Sequence, residues 1–377
     1  MRIALTGFVF FSMVCAASTS TLDFRGQLST RVGYSRSIET QQLYGIRYIP
    51  SAALGFNWGS GFLDSEFSLN AYHSGQFQKL KNVDSDNDIN PYRAWIRFST
   101  AQFELRAGLQ KINFGSATLF RPLMWFDSID PRDPLQITDG VYALLARYYF
   151  LNNTNIWIWG LYGNEDLKGW EFYKTVKDVP EFGGRFQIPL FNGEYGLTFH
   201  HRRLQFDTFT FPLMTKARHE SEENRIALDG KWDIELGFWF EFTLIHQNTD
   251  LLLYNWRRSF TVGSDYTFDI GNGLTILGEH FQLENSEEAF KSGQGIEFTA
   301  GSFNYSIGLL DRMEGILYYD WENESYYRFI NWRRTYDHWS FHLMVFWNPD
   351  QYQLYQSQAG NNLFTGKGFQ LMAVFNH

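Results

Sequence analysis

From residue 22 onward the chain alternates between apolar and polar positions. Leu22, Phe24, Leu28, Val32 and Tyr34 are interleaved with Asp23, Arg25, Gln27, Ser29 and Arg31. A period of two puts successive side chains on opposite faces of an extended strand, one apolar and one wet. The next stretch repeats the pattern, with Tyr44, Ile46, Tyr48, Ala52, Leu54, Phe56 and Trp58 against Arg47, Ser51 and Asn57. About eighteen such segments follow one another, predicted at 22–35, 43–58, 62–72, 91–98, 103–111, 141–150, 155–162, 181–188, 194–203, 224–232, 235–247, 254–268, 274–283, 297–309, 314–321, 325–335, 339–347 and 366–375. The least regular is 314–321, where both faces carry rings.

The connections alternate in length. Short ones fall at 59–61, 99–102, 151–154, 189–193, 233–234, 269–273, 310–313 and 336–338, and the longer ones at 73–90, 112–140, 163–180, 204–223, 284–296 and 348–365. Three of the remaining connections, 36–42, 248–253 and 322–324, are brief for outer loops. Tight periplasmic turns, longer outer loops and both termini on the periplasmic side are features of outer-membrane barrels, and they require an even strand number. The prediction is an all-β, transmembrane antiparallel β-barrel of about 18 strands, with 16 as the alternative, in the bacterial outer membrane. A soluble β-sandwich also alternates, but its loops need not keep this rhythm and it seldom sustains so many segments.

Composition supports a lipid-facing surface. Aromatic residues make up 19% of the 377, with 37 Phe, 21 Tyr and 13 Trp. A membrane barrel accommodates such a load on its outer face and interfacial girdles. The N-terminus reads as a secretory signal peptide over 1–18: Arg2, an apolar run from Ile3 to Val14, then Ala16, Ala17 and Ser18. The barrel is then expected to occupy 19–377. Cys15, the only cysteine, lies in or beside that segment, and Ser12-Met13-Val14 is a poor lipobox. Disulfides, thiolate metal sites and cysteine nucleophiles are therefore not expected in the mature chain. No later apolar run approaches the length of a membrane helix. Strands that begin close to the predicted cleavage site leave no room for a folded N-terminal plug. A formal charge of −9 argues against nucleic acid as a partner.

A barrel of 16 to 18 strands encloses an aqueous lumen unless something fills it. The stretch from Ile112 to Gly140 is long enough to need a role, and its rings at 119–126 would be poorly placed in outside water. It is predicted to fold inward as a constriction loop carrying Arg121, Asp127, Asp130, Arg132 and Asp133. The polar faces place Arg93, Arg97, Arg106, Arg147 and Arg185 in the lumen, with Glu104 and Glu181 among them. Later strands place Glu235, Glu241, Asp265 and Glu279 inward, tempered by Arg225, Lys231 and Arg257. A basic wall facing an acidic one would set up a transverse field that selects solutes. The alternative for each arginine is that it pairs with a neighbour and braces the wall.

Leu105-Arg106-Ala107-Gly108-Leu109-Gln110, then Asn113-Phe114-Gly115, then Asp130-Pro131-Arg132-Asp133 resembles the alginate-export-type porins and related large outer-membrane barrels. That resemblance implies a barrel of about 18 strands with an inward loop. Leu109 stands where the family has a second arginine, and Phe114 where it has tryptophan, so the resemblance leaves the solute open. The chain finishes Val374-Phe375-Asn376-His377, two residues beyond the aromatic that often ends such barrels.

An enzyme is not expected. The nine histidines have no G-x-S-x-G companion, and His200 and His201 point to opposite faces. Asp84, Asp86 and Asp88 read as a solvated acidic loop, because the rest of a calcium-binding loop is missing. No cofactor and no metal is predicted. The expected function is a porin, a water-filled channel for passive diffusion of small polar or charged solutes, with membrane lipid and small hydrophilic solutes as partners. A scaffold barrel for another exported protein is the alternative, and an outer-membrane enzyme a remoter one. Assembly into homo-oligomers is left open.

Overall fold

A computed structural model describes residues 20–37, 40–78, 81–210, 215–249, 251–350 and 364–377. The predicted signal peptide, with Cys15, lies outside them. The strands are β1 (Ser20–Arg36), β2 (Thr40–Trp58), β3 (Gly61–Gln78), β4 (Lys81–Ser99), β5 (Phe103–Gln110), β6 (Val141–Tyr149), β7 (Asn155–Leu161), β8 (Lys174–Thr175), β9 (Glu181–Leu190), β10 (Gly193–Thr210), β11 (Thr215–Asp233), β12 (Gly237–Gln247), β13 (Trp256–Phe268), β14 (Leu274–Ser286), β15 (Gln294–Ser306), β16 (Asp311–Asp320), β17 (Ser325–Thr335), β18 (Trp339–Trp347) and β19 (Lys367–Asn376).

Without the two-residue β8, which only pairs with β10, eighteen antiparallel strands pair in chain order. β1 pairs with both β2 and β19, so the sheet has no free edge. Closure leaves no unpaired sheet edge, which a sheet in hydrocarbon requires. The structure therefore settles the strand number at eighteen rather than sixteen.

Two of the expected outer loops are not loops. β3 runs on to Gln78 and β4 starts at Lys81, while β10 reaches Thr210 and β11 starts at Thr215. The segments 73–90 and 204–223 are thus mostly tall hairpins. Polar residues crowd much of both hairpins, with Asp84, Asp86 and Asp88 on one and Glu220 and Glu222 on the other, although Leu204 and Phe206 of β10 stay apolar and buried. Loss of a continuous apolar face hid most of these strands, although a backbone ladder needs no apolar face once it has risen out of lipid. At the opposite end Phe191 and Asn192 close the β9–β10 turn with φ of 51° and 59°. Two successive positive φ values give the tight two-residue hairpin that matches strand twist.

The outer surface is apolar. Leu22 is 72% exposed, Phe24 60% and Ile158 63%, and similar residues ring the wall. A belt of that extent is untenable in water and natural against lipid. The inner face divides into two sectors. From β1 to β13 it is rich in arginine and carboxylates. From β14 to β19 it is largely apolar, carrying Phe281, Leu283, Phe298, Tyr318, Phe329, Met344, Phe346, Met372 and Val374 in two buried clusters. This explains the irregular segment near 314–321: Tyr318 points into a packed interior while Leu317 faces lipid.

Candidate functional site

Residues 111–140 leave β5, cross the lumen and return to β6. Their course is set by two carboxylates on the far wall. Glu279 of β14 accepts hydrogen bonds from the amides of Thr118 (2.6 Å), Leu119 (2.8 Å) and Phe120 (2.7 Å), and from Trp239 Nε1 (2.9 Å). Glu241 of β12 accepts from the amides of Ala117 (2.7 Å) and Leu123 (3.1 Å). Three consecutive amides turned to one carboxylate form an anion nest, here filled by the protein's own side chain. Gly115 has φ of 95°, and a Cβ there would strike the Glu241 carboxylate, so only glycine serves. Phe120 fills the apolar sector, stacked on Phe281 (5.3 Å) and Phe298 (5.7 Å), with Tyr318 edge-on at 5.4 Å.

The rest of the loop is held by its own charges. Arg121 grips Asp127 with both terminal nitrogens (2.7 and 3.1 Å) and also Asn113 Oδ1 at 2.6 Å. Arg132 pairs with Asp130 at 2.7 Å and lies over the Phe364 ring at 4.9 Å. Asp133 accepts from the amides of Leu135 and Ile137. Arg93 of β4 is buried and donates to Thr138 O at 3.1 Å and to Tyr92 O, so it braces the loop's return.

On the side of the short turns the lumen is lined differently. Arg97 forms a bidentate pair with Asp64 (2.9 and 2.7 Å) and reaches Glu104 at 3.5 Å. Glu104 also faces Arg106 (3.1 Å) and Arg147 (3.7 Å). Arg106 lies over Trp95 at 4.8 Å and Arg147 over Trp157 at 3.7 Å. Three guanidiniums thus share two carboxylates on stacked rings, a rigid and net positive patch. A cavity of about 370 Å³ lies beneath the loop, lined by Asn113 to Ser116, Trp157, Arg185, Gln187, Glu194, Tyr195, Asp229 and Lys231.

The expected basic and acidic walls need correction. Glu241 and Glu279 are on the inner face, but at 0% and 2% exposure they face no water; their charge is spent on loop amides. Arg185 is also buried, bidentate to Asp229 (2.6 and 2.7 Å) and bonded to Thr198. Arg93, Arg185, Glu241 and Glu279 therefore brace, whereas Arg97, Arg106 and Arg147 remain at the lumen surface. Glu181 accepts from His200 Nε2 at 3.1 Å, because Trp159 Nε1 donates to His200 Nδ1 at 3.2 Å and fixes the tautomer. His201 faces outward to Asn224, on the opposite face as the alternation implies.

A second inward loop was not anticipated. Residues 163–180 read as an ordinary outer connection, yet Trp170 stacks on Phe281 at 4.7 Å and donates to Arg121 O at 3.1 Å. Glu171 pairs with Arg202 (3.0 Å) and Arg225 (2.6 Å). Both arginines also bond Glu223, at 2.7 Å each, and Gln247 donates to Glu223 at 2.8 Å. Gly169 N donates to Asp127 O at 3.0 Å, tying the two loops together. The signal was a tryptophan in an otherwise polar loop, together with Arg202, Glu223 and Arg225 on the lumen parity.

Burial pushes the Asp133 carboxyl above its ordinary range; neighbouring Asp130 adds to this, and the Leu135 and Ile137 amides and Arg31 oppose it. A raised pKa means that Asp133 loses its charge on acidification before ordinary carboxylates do. It shares a cavity wall with Arg31 and Arg47, so anion preference should rise as pH falls towards the carboxylate range. Reversal potentials in a salt gradient at stepped pH check this; a preference that stays flat until bulk carboxylates titrate refutes it.

No family model matches the chain, and no curated protein matches it. Solved structures do match in fold. The in-vitro folded trimer form of OmpT, an outer membrane protein of Vibrio cholerae, is 10% identical with a TM-score of 0.55, over 96% of this chain and 100% of that one. OccK5 (OpdH) of Pseudomonas aeruginosa is 10% identical with a TM-score of 0.55, over 94% and 98%. The anion-selective porin from Comamonas acidovorans is 12% identical with a TM-score of 0.50, over 95% and 100%. The closed wall, its apolar belt and these likenesses agree: the chain has the fold of bacterial outer-membrane barrels.

Proposed function

We propose that this protein is an outer-membrane porin whose water-filled lumen passes small polar or charged solutes by diffusion. The observation that carries the reading is the loop 111–140, drawn across the lumen and fixed to the far wall by Glu241 and Glu279. A barrel that only sheathed or anchored a partner would have no need of a fixed internal constriction. Arg97, Arg106 and Arg147 would favour anions on their way past it, since their patch is net positive and open to the lumen. Kinship with alginate-export-type porins rests on the residues at 105–115 and 130–133 and names no solute.

Planar-bilayer recording of the purified protein tests the proposal. Steady single-channel currents are expected; a protein that inserts but passes no current sinks it and leaves the scaffold reading. In a salt gradient, changing Arg93, Arg97 and Arg106 together to glutamine should move the reversal potential towards cations. Because Arg93 is occupied with Thr138, most of that change should come from Arg97 and Arg106. An unchanged reversal potential would remove these arginines from selection.

A further inference from the structure

We propose that Arg31 and Arg47 form a binding site within the lumen for the anionic head, carboxylate or phosphate, of a small solute with a short apolar body. Arg31 lies on β1 opposite Gly45 of β2, and Arg47 is two residues further along β2. Both sit on the lumen parity, so the two guanidiniums are diagonal neighbours whose Cα atoms are roughly 7–8 Å apart. The other inward arginines described above have partners: carboxylates for Arg97, Arg106, Arg147, Arg185, Arg202 and Arg225, backbone oxygens for Arg93, and Asn285 Oδ1 with Trp170 O for Arg257. Arg31 and Arg47 have no carboxylate within ion-pair distance among the described residues, and Arg47 has only the Tyr72 ring, at 5.3 Å.

A cavity of about 30 Å³, partly open, adjoins both arginines, with Ser29, Ser74, Asp133, Leu135, Ile137 and Met372 around it; it has room for an anionic head, and the body of the solute would extend out of it. The acid beside Arg31, Asp133, is not within ion-pair distance; Leu135 and Ile137 amides hold its two oxygens, and its single charge offsets only part of the two guanidiniums. The serine hydroxyls can donate to an anion that spans the arginines. Leu135, Ile137 and Met372 offer an apolar surface beside it, continuous with the cluster around Met344 and Phe346. Gly45 makes room for the arrangement: a Cβ there would stand 2.8 Å from Arg31 Nε, so the Arg31 side chain lies across the glycine. Two guanidiniums held side by side with one carboxylate near them keep a net positive charge that a further anion relieves, and guanidinium forks bind carboxylate and phosphate with matched geometry.

The site belongs to the channel proposed above, but it can be tested without current. Calorimetric titration of the detergent-solubilised barrel with butyrate, butyl phosphate, acetate and butylammonium is the experiment. Saturable binding of butyrate or butyl phosphate, weaker binding of acetate and none of butylammonium are expected. R31Q/R47Q should lose at least tenfold in affinity. Gly45→Ala, which keeps both arginines but displaces Arg31, should also weaken binding; it covers the case that the double variant fails to fold. Equal binding of butyrate and acetate removes the apolar part of the site. Binding that survives both substitutions, or no binding of either anion, overturns the proposal. A protein that binds butyrate but carries no current would keep the site and lose the channel.

Discussion

Changing Glu279 and Glu241 together to glutamine is expected to raise single-channel conductance severalfold and to add current noise. The two carboxylates receive six hydrogen bonds, five from loop amides and one from Trp239. Bonds to a charged acceptor contribute about 1.5–3 kcal/mol each, although their sum is not additive. Glutamine keeps the shape but presents an NH₂ to backbone amides that also donate, so some of those contacts turn repulsive. The remaining ties of 115–120 to the wall include Leu119, which packs in the cluster with Phe281 and Leu283. Thr261 donates to Phe120 O at 2.9 Å, and Phe120 packs on Phe281 and Phe298. The loop should then sample positions away from the wall and the opening should widen. A conductance equal to that of the native protein, with both substitutions in place and the barrel folded, would mean that the loop does not limit flow. Glu279→Gln alone should have most of the effect, because that side chain receives four of the six bonds.

Strand existence, a count of about eighteen and the face of most inward charges were legible in the sequence; Glu235, expected on the inner face, lies exposed in the turn between β11 and β12. Each segment from 22–35 to 366–375 corresponds to a wall strand, because alternation in a membrane barrel is enforced by lipid on one side and a polar lumen on the other. What alternation cannot convey is what the inner face meets. Glu241 and Arg97 stand on the same parity, yet one is buried under a loop and the other is open to the lumen. The inner rings of β14 to β19 broke the polar-in rule for the same reason: Phe281 and Tyr318 face not water but Phe120, which arrives from far away in sequence. Arg31 and Arg47 were visible as polar positions without distinction. That neither forms an ion pair among the described residues is a statement about three dimensions.

The second large effect is expected at Glu223. This carboxylate accepts from Arg202, Arg225 and Gln247 in a buried position, and Glu171 of the loop at 162–180 completes the network. Replacing Glu223 with glutamine leaves two buried guanidiniums to share Glu171 alone. Breaking one side of a buried charge network costs about 3–5 kcal/mol, because the charge left behind is under-compensated and out of reach of water. The midpoint of urea unfolding in lipid vesicles should fall accordingly. The same substitution should loosen the loop, whose position depends on Arg202 and Arg225 being held in place, and so speed trypsin cleavage at the exposed Lys174 and Lys177, whose backbone is then free to enter the protease. If the loop stays resistant and the midpoint does not move, the network is not its anchor. A loosened loop would have a further consequence through Trp170 and Gly169, which bond Arg121 and Asp127 of the constriction. Glu223→Gln should therefore also widen conductance fluctuations, without altering the charge that any solute meets at Arg97, Arg106 and Arg147. A variant that changes noise but not ion preference would separate the lock on the loops from the patch that selects.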